Sequence, residues 1–343
     1  MSFSNILVRA TNWVGDAVMS LPALTAIRKR FPLARITVVA KPWVADLYAR
    51  EGFADEVIRY SATTWRQKVR FALGLRERGF DTAILLQNAF DAAFMAFAAG
   101  IPTRIGYSKD GRRLLLTRAV RLPRKGEIPR HERFYYLEML RRAGILTGPL
   151  ECDCIRLEGS AGAAVEGRRR FEESGIGGPV IGVSPGAAYG TAKRWLPERF
   201  AETAVRLARA RGAAVALFGS RKERDLCEEV MLWMKRIEDG VTARNFAGQT
   251  TLNEFIEMAA ACELFLTNDS GSMHIASALG VPTVAVFGAT DEDATGPTGP
   301  AARVVREPVD CSPCLLRTCP IDHRCMTRVT VQRVTETALK LLQ

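Results

Sequence analysis

No window of this chain approaches the roughly 18 uninterrupted apolar residues of a membrane-spanning helix. The nearest, Ala92 to Pro102, is short and broken by Gly100 and Pro102. The N-terminus lacks the charged region, apolar stretch and small-residue cleavage site of a secretory signal, and enters at once the strand-like run Asn5-Ile-Leu-Val-Arg-Ala10. The expectation is a cytoplasmic protein with no transmembrane segment. In that compartment its eight cysteines are expected to stay reduced, which argues against a disulfide framework. Also missing are a helix-turn-helix pattern, a zinc-finger spacing and an aromatic RNA platform; a formal net charge of +11 therefore does not imply a nucleic-acid partner. Gly-x-Gly-x-x-Gly is absent too, which removes the dinucleotide fingerprint.

What is present is an ordinary globular balance, 48% apolar and 25% charged, in a length of 343 residues that suits two cores. Short apolar strands alternate with amphipathic helices in both halves. Strands are read at Ile6 to Ala10, Arg35 to Ala40, Glu56 to Tyr60 and Thr82 to Gln87, and again at Val180 to Ser184, Ala213 to Phe218, around Arg244 to Phe246, Cys262 to Thr267 and Pro282 to Phe287. This alternation predicts an α/β protein: two Rossmann-like, doubly wound parallel sheets facing across a cleft, with ligands at the C-terminal strand ends. The expected divisions are residues 1–157, residues 158–329 and a closing helix in 330–343 that packs back on the first domain. Between Gly100 and Arg142 the pattern loosens, and twelve Lys/Arg against four Asp/Glu give this stretch +8. It is read either as a solvated basic face or as a platform for phosphate-rich partners.

Three loops follow a strand and open a helix, where main-chain N–H groups and the helix dipole stabilise anions. In Thr11-Asn-Trp-Val-Gly-Asp16, Asp16 is either a helix cap or a general base. In Ser184-Pro-Gly-Ala-Ala-Tyr-Gly-Thr-Ala-Lys-Arg-Trp195, small residues (Gly186, Ala187) precede two cations, Lys193 and Arg194, which suit a diphosphate better than a carboxylic substrate. In Thr267-Asn-Asp-Ser-Gly-Ser-Met-His274, Asp269, Ser270 and Gly271 lie at a helix start with His274 one turn in.

Taken together and in order, Trp13-Val-Gly-Asp16, Pro185-Gly186 with Ala192-Lys-Arg-Trp195, and Asn268-Asp-Ser-Gly271-x-x-His274 resemble the bacterial ADP-heptose:lipopolysaccharide heptosyltransferases, glycosyltransferase family 9. The resemblance covers nearly the whole chain, and the Ala-Lys-Arg-Trp run places it nearest the heptosyltransferase II branch. It implies a GT-B arrangement and an inverting transfer from ADP-heptose to a heptosyl-Kdo2-lipid A acceptor at the inner membrane, with peripheral attachment there. It further implies Asp16 as base and Lys193 on the departing ADP phosphates. Ser184, Gly186, Ala187, Glu223, Asp269, Ser270, Gly271 and His274 become donor contacts. On the acceptor side stand Asn12, Trp13, Gly15, Arg112 and Arg113. No cofactor is needed, because a positioned carboxylate takes the hydroxyl proton and a lysine with a helix N-terminus stabilises the leaving diphosphate.

The run Cys311-Ser-Pro-Cys314-x4-Cys319-Pro-x4-Cys325 has ligand-like density. A structural zinc or iron–sulfur cluster and a reduced, packed loop are both open readings. Rival functions are a family-9 transferase with another donor or acceptor, a nucleotide-sugar epimerase or hydrolase, and a non-catalytic metal- or nucleic-acid-binding protein.

Overall fold

The computed structural model describes residues 2–343. The chain divides into two compact units, the first ending at Asp153 and the second running from Cys154 to Gln343. In the first, β1 (Asn5–Arg9), β2 (Arg35–Ala40), β3 (Glu56–Arg59), β4 (Thr82–Leu85), β5 (Thr103–Tyr107) and β6 (Arg118–Val120) form one sheet, ordered β3-β2-β1-β4-β5-β6. In the second, β7 (Val180–Ser184), β8 (Ala214–Leu217), β9 (Ala243–Asn245), β10 (Leu264–Asn268), β11 (Thr283–Val286) and β12 (Ala302–Val305) are ordered β12-β11-β10-β7-β8-β9. Every pairing is parallel. Counted from its own first strand, each sheet has the same doubly wound order, so the order in which strands are added switches sides between β1 and β4 and between β7 and β10. Those two switch points are where the three motif loops emerge.

The strands are apolar because helices cover both sheet faces. The helix Pro197–Arg211 shows how the sequence sets its neighbours. Pro197 opens it, Gly212 closes it with φ 61°, and Phe200, Ala201, Ala204, Val205, Leu207 and Ala208 share the buried face. These residues join Ile181, Val183, Val215, Leu217, Leu264, Leu266, Val284 and Val286 in the core of the second unit. The helix Ser160–Glu173 crosses Leu252–Ala260 at Gly167, where a Cβ would fall 2.0 Å from the Glu257 carbonyl oxygen.

Three expectations need correction. The boundary falls after Asp153 rather than after residue 157. The closing helix, Val331–Leu341, packs on Pro197–Arg211, β11 and β12 of its own unit, because Val334 and Ala338 complete that apolar core. The loosened basic stretch holds β5, β6 and the helix Arg133–Arg142, all obscured by interspersed arginines and glycines.

Candidate functional site

In the second unit the loops after β7, β10 and β11 are joined side chain by side chain. Asn268, at the end of β10, donates through Nδ2 to the Pro185 carbonyl (2.8 Å) and accepts from the Trp195 N–H (3.0 Å). This one buried amide fixes both ends of the 184–195 loop, and Trp195 is itself anchored by its indole N–H on the Val329 carbonyl (3.1 Å). Ser272 donates to Ser184 (2.9 Å) and shares a hydrogen bond with Ser270 (2.7 Å).

Lys193 reaches across this junction. Its ammonium lies 2.6 Å from Asp269 Oδ2, which also accepts from the Thr290 hydroxyl at 2.5 Å. The side chains of Lys193 and Asp269 are only 12% and 4% exposed, so the pair is poorly screened and well fixed. The ammonium also sits 4.9 Å from the centre of the Tyr189 ring. Gly271 opens the helix Gly271–Ala278, Ser270 is its N-cap residue, and His274 is buried one turn in. Glu223 accepts from the Ser220 N–H and hydroxyl through Oε2, both at 2.8 Å. Its other oxygen lies where a Cβ on residue 186 would come within 2.1 Å, so only glycine lets the carboxylate rest on the loop. The structure therefore brings together Ser184, Gly186, Ala187, Lys193, Glu223, Asp269, Ser270 and Gly271 around the ends of β7 and β10. Asn268, Tyr189 and Thr290 belong with them. Thr290 follows a strand end through Phe287-Gly-Ala, a signal of the same kind as the loops already singled out.

In the first unit Trp13, 56% exposed, is the N-cap residue of the helix Val14–Arg30 and makes no side-chain cap bond. Gly15 and Asp16 lie in the first helical turn, and Gly15 has no left-handed φ. Asp16 is not the cap. It is half-buried, and its charge raises the proton affinity of groups around it: Glu132 is pushed up by burial and then by Asp16, and Tyr136 likewise by burial, Asp16 and Glu132. The loop beside it is held by Arg9, which sequence reasoning passed over. Arg9 is 1% exposed and donates to the Ala10 carbonyl (2.5 Å) and Asn12 Oδ1 (2.9 Å), while the Trp43 indole donates to the Asn12 carbonyl (2.8 Å). A charged residue ending an otherwise apolar strand was the available signal.

Arg112 is not placed to meet an acceptor. It is fully buried, donating to the carbonyls of Tyr107 (2.9 Å) and Gln87 and to Asn88 Oδ1 (2.9 Å), and burial draws its guanidinium down to about 10. Irregular backbone after β4 leaves carbonyls that need donors, and this arginine supplies them. Arg113 remains exposed. A cavity of about 250 Å³ lined by Arg124, Lys125, Arg130, His131, Glu132 and Tyr135 opens in the same unit.

Among the described residues no three His, Cys, Asp or Glu side chains are grouped to hold a metal. Cys311 is exposed, Cys314 and Cys319 are half-buried and Cys325 is buried. Burial pushes the Cys325 thiol up to about 11, with the other three adding to the effect. The thiols are thus neighbours of suitable chemistry without a ligand cage. One Asp-x-Asp run exists, Asp291-Glu292-Asp293. Asp291 caps a short helix by accepting from the Asp293 N–H (3.1 Å), and Glu292 pairs with Arg306.

A family model described as glycosyltransferase family 9 (heptosyltransferase) matches residues 68–324. Lipopolysaccharide heptosyltransferase 2 of Escherichia coli K12 is 35% identical over 309 residues, 88% of this chain and 87% of that protein. Lipooligosaccharide heptosyltransferase 2 of Haemophilus influenzae is 33% identical over 313 residues, covering 88% of each chain. The solved structure of Escherichia coli ADP-heptose lps heptosyltransferase II superposes with a TM-score of 0.83 at 32% identity, over 98% of both chains.

Proposed function

The chain belongs to glycosyltransferase family 9, and from that premise we propose that it transfers heptose from ADP-heptose to the heptosyl-Kdo2-lipid A inner core of lipopolysaccharide. The observation that carries the donor half is the buried Lys193–Asp269–Thr290 group at the ends of β10 and β11, beside a glycine-bearing loop. A diphosphate leaving group gains negative charge as the anomeric C–O bond breaks. Lys193 and the N-terminus of Gly271–Ala278 stabilise that charge without a divalent metal. The Glu223 carboxylate, resting over Gly186, is suited to accept from ribose hydroxyls.

Asp16 is the base in this reading. The acceptor hydroxyl gives it a proton while attacking the anomeric carbon on the face opposite ADP, so one displacement inverts the centre with no covalent intermediate. Asn12, Trp13 and Arg113 supply acceptor contacts, and the cations of the 250 Å³ cavity suit the carboxylates and phosphates of such an acceptor. No described helix is long and apolar enough to cross a membrane, so meeting a lipid-anchored acceptor calls for peripheral attachment.

The test is ADP release from ADP-heptose with and without monoheptosylated Kdo2-lipid A, in wild type and Asp16→Asn. The reading expects release that depends on the acceptor and falls about a thousandfold in the variant, with ADP affinity retained. Release indifferent to the acceptor would identify a hydrolase, and no release with any heptosyl acceptor would overturn the substrate.

A further inference from the structure

The cysteine-rich segment lies directly on the donor loop. The Ala192 N–H donates to the Arg317 carbonyl (3.0 Å), and the Tyr189 hydroxyl to the Leu315 carbonyl (2.7 Å). His323 Nε2 meets the Ala192 carbonyl at 3.0 Å, a contact that requires the ring nitrogen to donate. The Leu315 N–H in turn holds the Ala289 carbonyl (2.8 Å), next to Thr290. Gly190 is pressed so closely on this segment that a Cβ would stand 2.1 Å from the Arg317 carbonyl oxygen. The main chain at 315–317 is therefore part of the wall that shapes residues 189–193.

Side chains continue the arrangement. The guanidinium carbon of Arg317 lies 5.2 Å from the centre of the Tyr189 ring, the same ring that Lys193 approaches at 4.9 Å. Two cations thus share one aromatic. Lys193 is already neutralised by Asp269. Arg317 is exposed and makes no ion pair with any described residue. A lysine–aspartate pair alone offers a diphosphate no net charge, whereas the same pair with Arg317 offers one positive charge, carried on a planar fork suited to phosphate oxygens.

We infer that Arg317 is a second cation for the donor's diphosphate, presented beside Lys193 by the cysteine-rich segment; this rests on reading the 184–195 loop as the donor site. The segment's function is then to carry a phosphate ligand as well as to close the fold. Because the bonds to Ala192 come from the main chain of residue 317, side-chain substitution leaves the loop in place.

The test uses the full chain and isothermal titration with ADP and with AMP, in wild type, Arg317→Gln, Arg317→Lys and Lys193→Met. Loss of a charge-assisted phosphate contact predicts ADP binding weakened about tenfold to a hundredfold in Arg317→Gln. AMP should lose less, the Arg317→Lys variant should recover part of the loss, and thermal melting should stay at the wild-type value. The salt dependence of ADP binding should also flatten, since one fewer cation takes part. Unchanged ADP affinity in Arg317→Gln, with a clear loss in Lys193→Met, would overturn this inference alone. Equal losses for ADP and AMP would also overturn it. Unchanged affinity in both variants would remove the donor reading and this inference with it.

Discussion

Replacing Asp269 by Asn keeps the shape of the side chain and removes the charge that holds Lys193. In the wild-type protein Asp269 Oδ2 takes Lys193 at 2.6 Å and the Thr290 hydroxyl at 2.5 Å, with exposures of 4% for the aspartate and 12% for the lysine. Breaking a buried pair from one side costs about 3–5 kcal/mol, because a charge is left without its partner. The slightly open lysine, with the Tyr189 ring still beside it, lowers this to about 2–3 kcal/mol. For a unit of this size that is a fall in melting temperature of about 5–10 °C. The orphaned ammonium is then freely available to a diphosphate, so ADP should raise the variant's melting temperature by more than it raises that of the wild type. Turnover should nevertheless drop about a hundredfold, since a lysine without its carboxylate is no longer fixed against the breaking bond. Differential scanning fluorimetry with an ADP series, and a coupled ADP-release assay, read all three quantities. A variant that melts with the wild type and gains no more from ADP would refute the assignment of Asp269 as the anchor of Lys193.

Three further outcomes follow from the geometry. Gly186→Ala places a Cβ against the Glu223 carboxylate, which must leave its Ser220 bonds; KM for the donor should rise about tenfold with little change in kcat. Glu132→Gln should melt above the wild type at pH 7. Burial and the Asp16 charge hold the Glu132 carboxyl above its usual range, so ionising it at neutral pH weakens the folded state. That advantage should vanish as the pH falls below about 4.5, where the wild-type carboxyl is protonated in both states; a difference that persists at low pH would contradict the cause. Reversing both exposed cations in an Arg124→Glu, Lys125→Glu variant should weaken co-sedimentation with anionic vesicles several-fold, and unchanged binding would remove these residues from membrane attachment.

Most of the architecture was legible because each signal was local. Nine of the twelve strands and the helices Pro197–Arg211 and Gly271–Ala278 followed from periodicity and from punctuation by Pro and Gly. β5 was hidden because Arg104 and Gly106 interrupt its apolar run, and Gly106 is there to leave room for the Arg112 guanidinium. β6 and β12, with three and four residues, sit at sheet edges and carry little apolar signature. Within the site, the motif loops could be read because strand-end glycines and cap residues are visible in a single sequence. Thr290 shows a strand-end glycine of that kind, but its partner is not readable from the sequence, and Arg317 carries no such signal at all. Each joins the donor loop through a contact that spans a long stretch of chain, Asp269 to Thr290 and Ala192 to Arg317, and only the fold brings them together.

The basic stretch shows why a charge count and a surface are different things. Twelve cations between Gly100 and Arg142 suggested a platform, yet Arg112 is buried outright and several others spend their donors on the protein itself. Arg104 donates to the carbonyls of Ile101 and Leu115, Arg112 to those of Tyr107 and Gln87, and Arg118 to that of Ala143. Arg141 and Arg142 both clasp Glu138, whose side chain is wholly buried, and Arg142 also meets Glu127 at 2.7 Å. This part of the first unit holds its shortest strand, β6, and its longest irregular run, between β6 and the helix Arg133–Arg142, where carbonyls lack ladder partners. An arginine brings five donors on a rigid fork, so it can satisfy several such carbonyls at once without needing a partner strand. Part of the segment's arginine content is thus spent on main-chain carbonyls and on Glu138, and the outward cations, Arg113, Arg124 and Lys125 among them, are the ones available to an anionic acceptor or a lipid surface.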